Sequence, residues 1–79
     1  MQVHVRARGD QDIRRDLLGS DTERVLDLPE GALARELSTQ IGTNLWQIGA
    51  VSVNGTVVKP DHPLKDGDRV EILIVMVGG

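Results

Sequence analysis

Hydrophobic and polar positions alternate cleanly at the start of the chain. In "QVHVRAR", Val3, Val5 and Ala7 fall on one face and Gln2, His4, Arg6 and Arg8 on the other, the period of a half-buried strand. The stretch from Gly9 to Thr22, "GDQDIRRDLLGSDT", is polar and bounded by glycines, with Ile13, Leu17 and Leu18 at helical spacing. It reads as a long loop carrying about one helical turn. "ERVLDL" returns to alternation, with Leu26 and Leu28 on one face, and Pro29 ends this second strand, which is expected to pair antiparallel with the first.

From Gly31 to Ile41 the period changes: Ala34, Leu37 and Ile41 follow the i, i+3, i+7 spacing of an amphipathic helix, and Gly42 is a natural stop. "AVSVNGTVV" then sets Asn54-Gly55, the favoured pair of a type I′ turn, between two β-rich runs, so a hairpin is expected there. The prolines of "KPDHPLKDGD" exclude a central strand, and Leu64 is its one candidate for the core. Arg69 to Val75 is the last strand, opened by the Asp66-Gly67 turn. Strand, strand, helix, strand, short strand, last strand suits an α+β domain with one main helix packed across one face of a mixed sheet.

The last strand differs from the first. Val70, Ile72 and Ile74 share one face, and Leu73, Val75 and Val77 recur on the other after Glu71. A strand apolar on both faces belongs inside a sheet. Burial accounts for Ile72 to Ile74 but not for Val75-Met76-Val77-Gly78-Gly79, because apolar residues beyond a sheet gain little from the fold and glycine is costly to order. The expectation is that Leu73 and Val75 meet a partner. Met76, Val77, Gly78 and Gly79 are expected to form a slender, flexible tail that threads a narrow channel and presents a carboxylate.

Size and composition narrow the field. The 79 residues form one domain, and a chain of this length buries only about 60% of the surface its unfolded form exposes. There is no cysteine, hence neither a disulfide framework nor a cysteine zinc site. The apolar run from Ile72 to Val77 is far short of the ~20 residues of a membrane span, and the N-terminus offers no signal-peptide block, so a cytoplasmic protein is expected. A net charge of -3 argues against nonspecific nucleic-acid binding. His4 and His62 have no metal-ligand spacing around them and read as surface or turn residues. Opposite-charge pairing of the His4, Arg6, Arg8 stripe with Glu23 or Asp27 is favoured over an acidic partner. Trp46, the sole aromatic, reads as a lid on a thin core. No Ser-His-Asp set, phosphate-cradling glycine loop or paired catalytic carboxylates can be made out.

Taken together, "LPEGALARELSTQIG", "VSVNGTVV", "PLKDGDRVEIL" and the closing "VGG" resemble the ubiquitin-like sulfur-carrier proteins of the ThiS and MoaD family. The resemblance covers nearly the whole chain. It implies a β-grasp fold over residues 1–79, with 76–79 as the tail, and a protein that is a co-substrate instead of an enzyme. It also implies an ATP-dependent partner, an adenylyltransferase of the ubiquitin-activating type, that joins the Gly79 carboxylate to AMP; sulfur from a persulfide then displaces AMP to leave a thiocarboxylate. No cofactor would be bound by the chain itself. The sulfur would pass to an acceptor synthase subunit making a thiazole or a molybdopterin precursor. Leu33 stands where the family often has a helix-capping Thr or Ser, and Ala7 and Arg8 where MoaD-type carriers often have an aromatic. The long first loop is similar to MoaD, and the stretch from Gly42 to Val53 and the tail to ThiS. "VNGTVVKPDHPLKDGDRVEIL" also resembles TGS-like RNA- or ligand-binding regulatory modules, and a ubiquitin-like protein modifier would share the activation chemistry.

Overall fold

The computed structural model describes residues 1–19 and 23–75. Its strands are β1 (Gln2–Arg8), β2 (Arg24–Asp27), β3 (Gly49–Val53), β4 (Thr56–Val57) and β5 (Arg69–Ile74), and its helices α1 (Gln11–Leu18), α2 (Arg35–Ile41) and α3 (Leu45–Ile48). The strands make one mixed sheet in the order β2-β1-β5-β3-β4. β1 runs antiparallel to β2 and parallel to β5, while β3 is antiparallel to both β5 and β4. This is the β-grasp arrangement, with the most apolar strand in the centre.

One face of that sheet is closed. Val3, Val5 and Ala7, Val51 and Val53, and Val70, Ile72 and Ile74 are buried together with Leu17, Leu18, Leu37 and Leu45 from the three helices. Leu64 joins them, 4% exposed, as its place in the proline-bounded connection predicts. Each fully buried Leu contributes about 1.5–3 kcal/mol relative to exposure.

The helices depart from the sequence reading in informative ways. α1 has eight residues, two turns instead of one. The Asp10 carboxylate accepts from the backbone N–H groups of Asp12 and Ile13 at 2.9 and 3.1 Å, and Gly19 at φ 68° closes the other end. Such a cap is worth ~1 kcal/mol. α2 is shorter than the expected span: residues before Arg35 are committed elsewhere, Leu33 bridging Pro63 and Ala32 O accepting from Leu64 N at 2.9 Å. Its N-cap, Ala34, makes no side-chain bond. The missing cap is replaced from across the fold, where Ala34 N donates to His62 O at 2.8 Å and Arg35 N to Pro60 O at 2.9 Å. Gly42, left-handed at φ 87°, ends α2 as anticipated. α3 was not anticipated; Asn44 caps it through Trp46 N, and Ser38 Oγ accepts from Leu45 N at 3.1 Å. Trp46 lies half-buried against the core, its indole N–H donating to Val58 O at 3.2 Å.

The hairpin forms at the expected turn, with Asn54 at φ 51° and Gly55 at φ 88°. Both signs are what a type I′ turn requires. No described helix is long and apolar enough to cross a membrane.

Candidate functional site

The uncovered face of the sheet is built by the alternate residues of the same strands. Register places Arg6 beside Glu71 and Glu71 beside Ser52, and in the next row Arg8 beside Leu73 and Leu73 beside Ala50. Val25 of β2 pairs with His4, and Val57 of β4 pairs with Ser52, so both look out from this face. The exposed large hydrophobic residues among those described are Val25, Val57 and Val75, at 51, 64 and 68%. Val25 and Val57 belong to the uncovered face by register, and Val75 follows Leu73 of that face by the strand period of two. Scattered singly they would need no explanation; sharing one face with half-buried Leu73 they make an apolar surface with charged residues between.

Those charges are partly matched within the chain. His4 Nδ1 is paired with the Glu23 carboxylate, the expected cross-strand partner. Arg8 Nε lies 3.4 Å from Glu71 Oε2. Asp27, the other candidate partner of the basic stripe, is instead 3.6 Å from the Met1 ammonium, which donates to Leu28 O at 2.8 Å. His4, Arg6, Glu23, Arg69 and Glu71 line a shallow depression in the middle of this face. No group of three potential metal ligands occurs among the described residues.

The two ends of β5 are held differently. At its start, Asp68 is buried and accepts from Lys65 N at 2.8 Å and Asn54 Nδ2 at 3.0 Å, while Asn54 Oδ1 accepts from Arg69 N at 3.0 Å. Asp66 Oδ1 accepts from Gln2 N, and Gly67 N donates to Gln2 O, each at 2.7 Å. In the sequence these aspartates read only as turn residues, because Gln2 and Asn54, which they also bind, are far along the chain. At its far end, β5 stops one residue earlier than the alternation predicts. Val75 lies beyond the strand, its N–H donating to Ile48 O at 3.0 Å.

Of the predicted site residues, Leu73 and Val75 are thus on the uncovered face, half-buried and exposed respectively, at the end of the central strand. Val75 is not part of the core. Met76, Val77, Gly78 and Gly79, including the expected flexibility of the tail, lie outside the described residues.

Known structures share this architecture. A putative molybdopterin converting factor subunit 1 from Pyrococcus furiosus is 29% identical, with a TM-score of 0.70 over 92% of this chain and 95% of that one. SAMP1 of Haloferax volcanii matches over the full length of both chains with a TM-score of 0.72 at 15% identity, a likeness of fold alone. So does subunit 1 or 2 in a protein-protein complex of the Helicobacter pylori molybdopterin-converting factor, with a TM-score of 0.64 at 24% identity over the full length of both chains. The family model of the ThiS family matches residues 12–79, through both closing glycines. With this match spanning most of the sequence, the chain belongs to the ThiS family.

Proposed function

We propose that this protein is a sulfur carrier whose Gly79 carboxylate is adenylated by an ATP-dependent partner and then converted to a thiocarboxylate. The observation that supports it best is the exposed apolar end of the central strand. Leu73 and Val75 stand on the uncovered face and lead directly into Met76-Val77-Gly78-Gly79, within a family match that runs to residue 79. The chain offers no catalytic constellation of its own among the described residues; the partner supplies catalysis.

The chemistry explains this division of labour. A carboxylate is a poor electrophile until a mixed anhydride gives it a good leaving group. Attack of a Gly79 oxygen on the α-phosphorus of ATP forms that anhydride and releases pyrophosphate. The outer sulfur of a persulfide, R–S–SH, then attacks the acyl carbon and AMP leaves, giving an acyl disulfide; a second thiol on the partner attacks the R–S sulfur, forms a disulfide with it, and releases the Gly79 thiocarboxylate. A channel that excludes water protects the intermediate from hydrolysis, and glycines are narrow enough to enter it.

The partners follow from the same reading: an adenylyltransferase of the ubiquitin-activating type, and an acceptor synthase subunit that docks the uncovered face. The Helicobacter pylori structure, a complex of subunits 1 and 2, supports the second. The acceptor pathway is of the molybdopterin or thiazole type, and the Pyrococcus furiosus relative favours the former. Incubation with the cognate activating enzyme and labelled pyrophosphate should give ATP–pyrophosphate exchange that depends on the carrier. Deleting Gly79 should abolish it. Exchange undiminished by that deletion contradicts the assignment.

A further inference from the structure

β5 leaves the sheet between two glycines contributed by its two neighbours. Gly9 directly follows β1 and Gly49 opens β3, on opposite sides of the central strand. A Cβ on Gly49 would stand 1.8 Å from Leu73 O and 3.0 Å from Ile74 Cα. One on Gly9 would stand 2.5 Å from Ile74 O and 2.8 Å from Ile74 Cβ, and Gly9 also has φ +125°, where side chains are disfavoured. Neither residue can gain a side chain unless the last residues of β5 move. Val75 N donates to Ile48 O, the carbonyl of the residue immediately before Gly49.

We propose that Gly9 and Gly49 are positioning residues, a backbone clamp on residues 73–75 that fixes where, and in which direction, the chain leaves the sheet toward its activating partner. The inference rests on the carrier reading above. Ordinary residues at these places would serve a β-sheet as well or better, since glycine inside or beside a strand weakens it and marks a close approach of backbone. Here the two approaches fall on consecutive peptide units on either side of Ile74. When the uncovered face docks, the root of residues 76–79 is fixed relative to the bound nucleotide only as well as residues 73–75 are fixed relative to the sheet. Four residues reach at most about 14 Å, so a tilt of roughly 15° at the root moves the far end by several ångströms. A reacting oxygen has to come within about 3–3.5 Å of its target.

The experiment is steady-state ATP–pyrophosphate exchange by the cognate activating enzyme with the wild-type chain, Gly9→Ala and Gly49→Ala, each checked for folding by circular dichroism at the assay temperature. The clamp predicts a kcat lowered about tenfold or more by misplacement and a smaller change in KM for the carrier, because Val25 and Val57 of the docking face lie away from the displaced residues. A third variant, one glycine inserted between Val75 and Met76, keeps both clamp residues and the sheet and displaces only the residues that follow Val75. It should show the same split even if Gly49→Ala fails to fold. Folded variants with wild-type kcat overturn the clamp and leave the carrier reading standing. A wild-type chain that supports no exchange at all sinks the carrier reading and the clamp with it.

Discussion

The start of β5 is knotted by side chains and the end is gripped by bare backbone. Around Arg69, Asp66, Asp68 and Asn54 tie the strand to the hairpin and to β1 through four hydrogen bonds among six residues drawn from three separate segments. Around Ile74, two glycines let the neighbouring strands close in, and Val75 N donates to Ile48 O beyond the last residue of the strand. A polar knot with buried Asp68 satisfies its hydrogen bonds within the chain and stabilises the fold. The opposite end leaves Val75 exposed and Leu73 half-buried, with its backbone closely packed by two glycines. The difference separates a part of the molecule that holds the fold from a part that delivers the chain to another protein.

Changes at the two ends should therefore have opposite signatures. The largest expected effect is that of deleting Gly79: thiocarboxylate formation is lost while the melting temperature is unchanged, measured by mass spectrometry and calorimetry on the same sample. Next is Val75→Asp. Val75 is 68% exposed, so the monomer should lose no more than ~0.5 kcal/mol, whereas binding to the activating partner should weaken by about 2–4 kcal/mol as an unpaired charge enters an apolar contact. Calorimetric titration and circular dichroism separate the two; a folded variant with unaltered affinity removes Val75 from the interface.

Asp68→Ala should show the reverse. It strands Lys65 N and Asn54 Nδ2, and should cost about 2–3 kcal/mol of stability, a fall in melting temperature of roughly 10–20 °C, with kcat for exchange unaltered below the transition. Asn54→Ala is the mildest, at about 1–2 kcal/mol, from two lost hydrogen bonds and a left-handed residue without its side-chain support. Loss of activity in a folded Asp68→Ala protein would erase the contrast between the ends.

Much of this was legible in the sequence, for reasons tied to distance along the chain. Alternation identified β1, β2 and β5, and the double-sided apolar pattern of β5 placed it at the centre. Asn54-Gly55 and Gly42 declared a turn and a helix stop by local conformational preference, and the period of two brought Leu73 and Val75 onto one face. The uncovered face was readable in part: the His4–Glu23 pair follows from register, but Val25 and Val57 joined Val75 only once the strand order was known. α1 was underestimated because Ile13, Leu17 and Leu18 are few among charged residues, although Asp10 and Gly19 were the signals that could have marked its ends. α3, four residues long, is too short to show a period. Least visible were the Asp68 knot and the Gly9–Gly49 clamp. Each is made by segments that meet only across the sheet, so no local window contains it.

The most direct measurement is the intact mass of the protein isolated from its native cell, followed by fragmentation. The account predicts a population heavier by about 16 Da with the added mass confined to Gly79, the replacement of one carboxylate oxygen by sulfur, and not to Met1 or Met76, where oxidation gives the same increment. A protein that stays at its unmodified mass under conditions in which its activating partner is present and consuming ATP would contradict the sulfur-carrier reading, and an isopeptide bond from Gly79 to a lysine would replace it with a protein modifier.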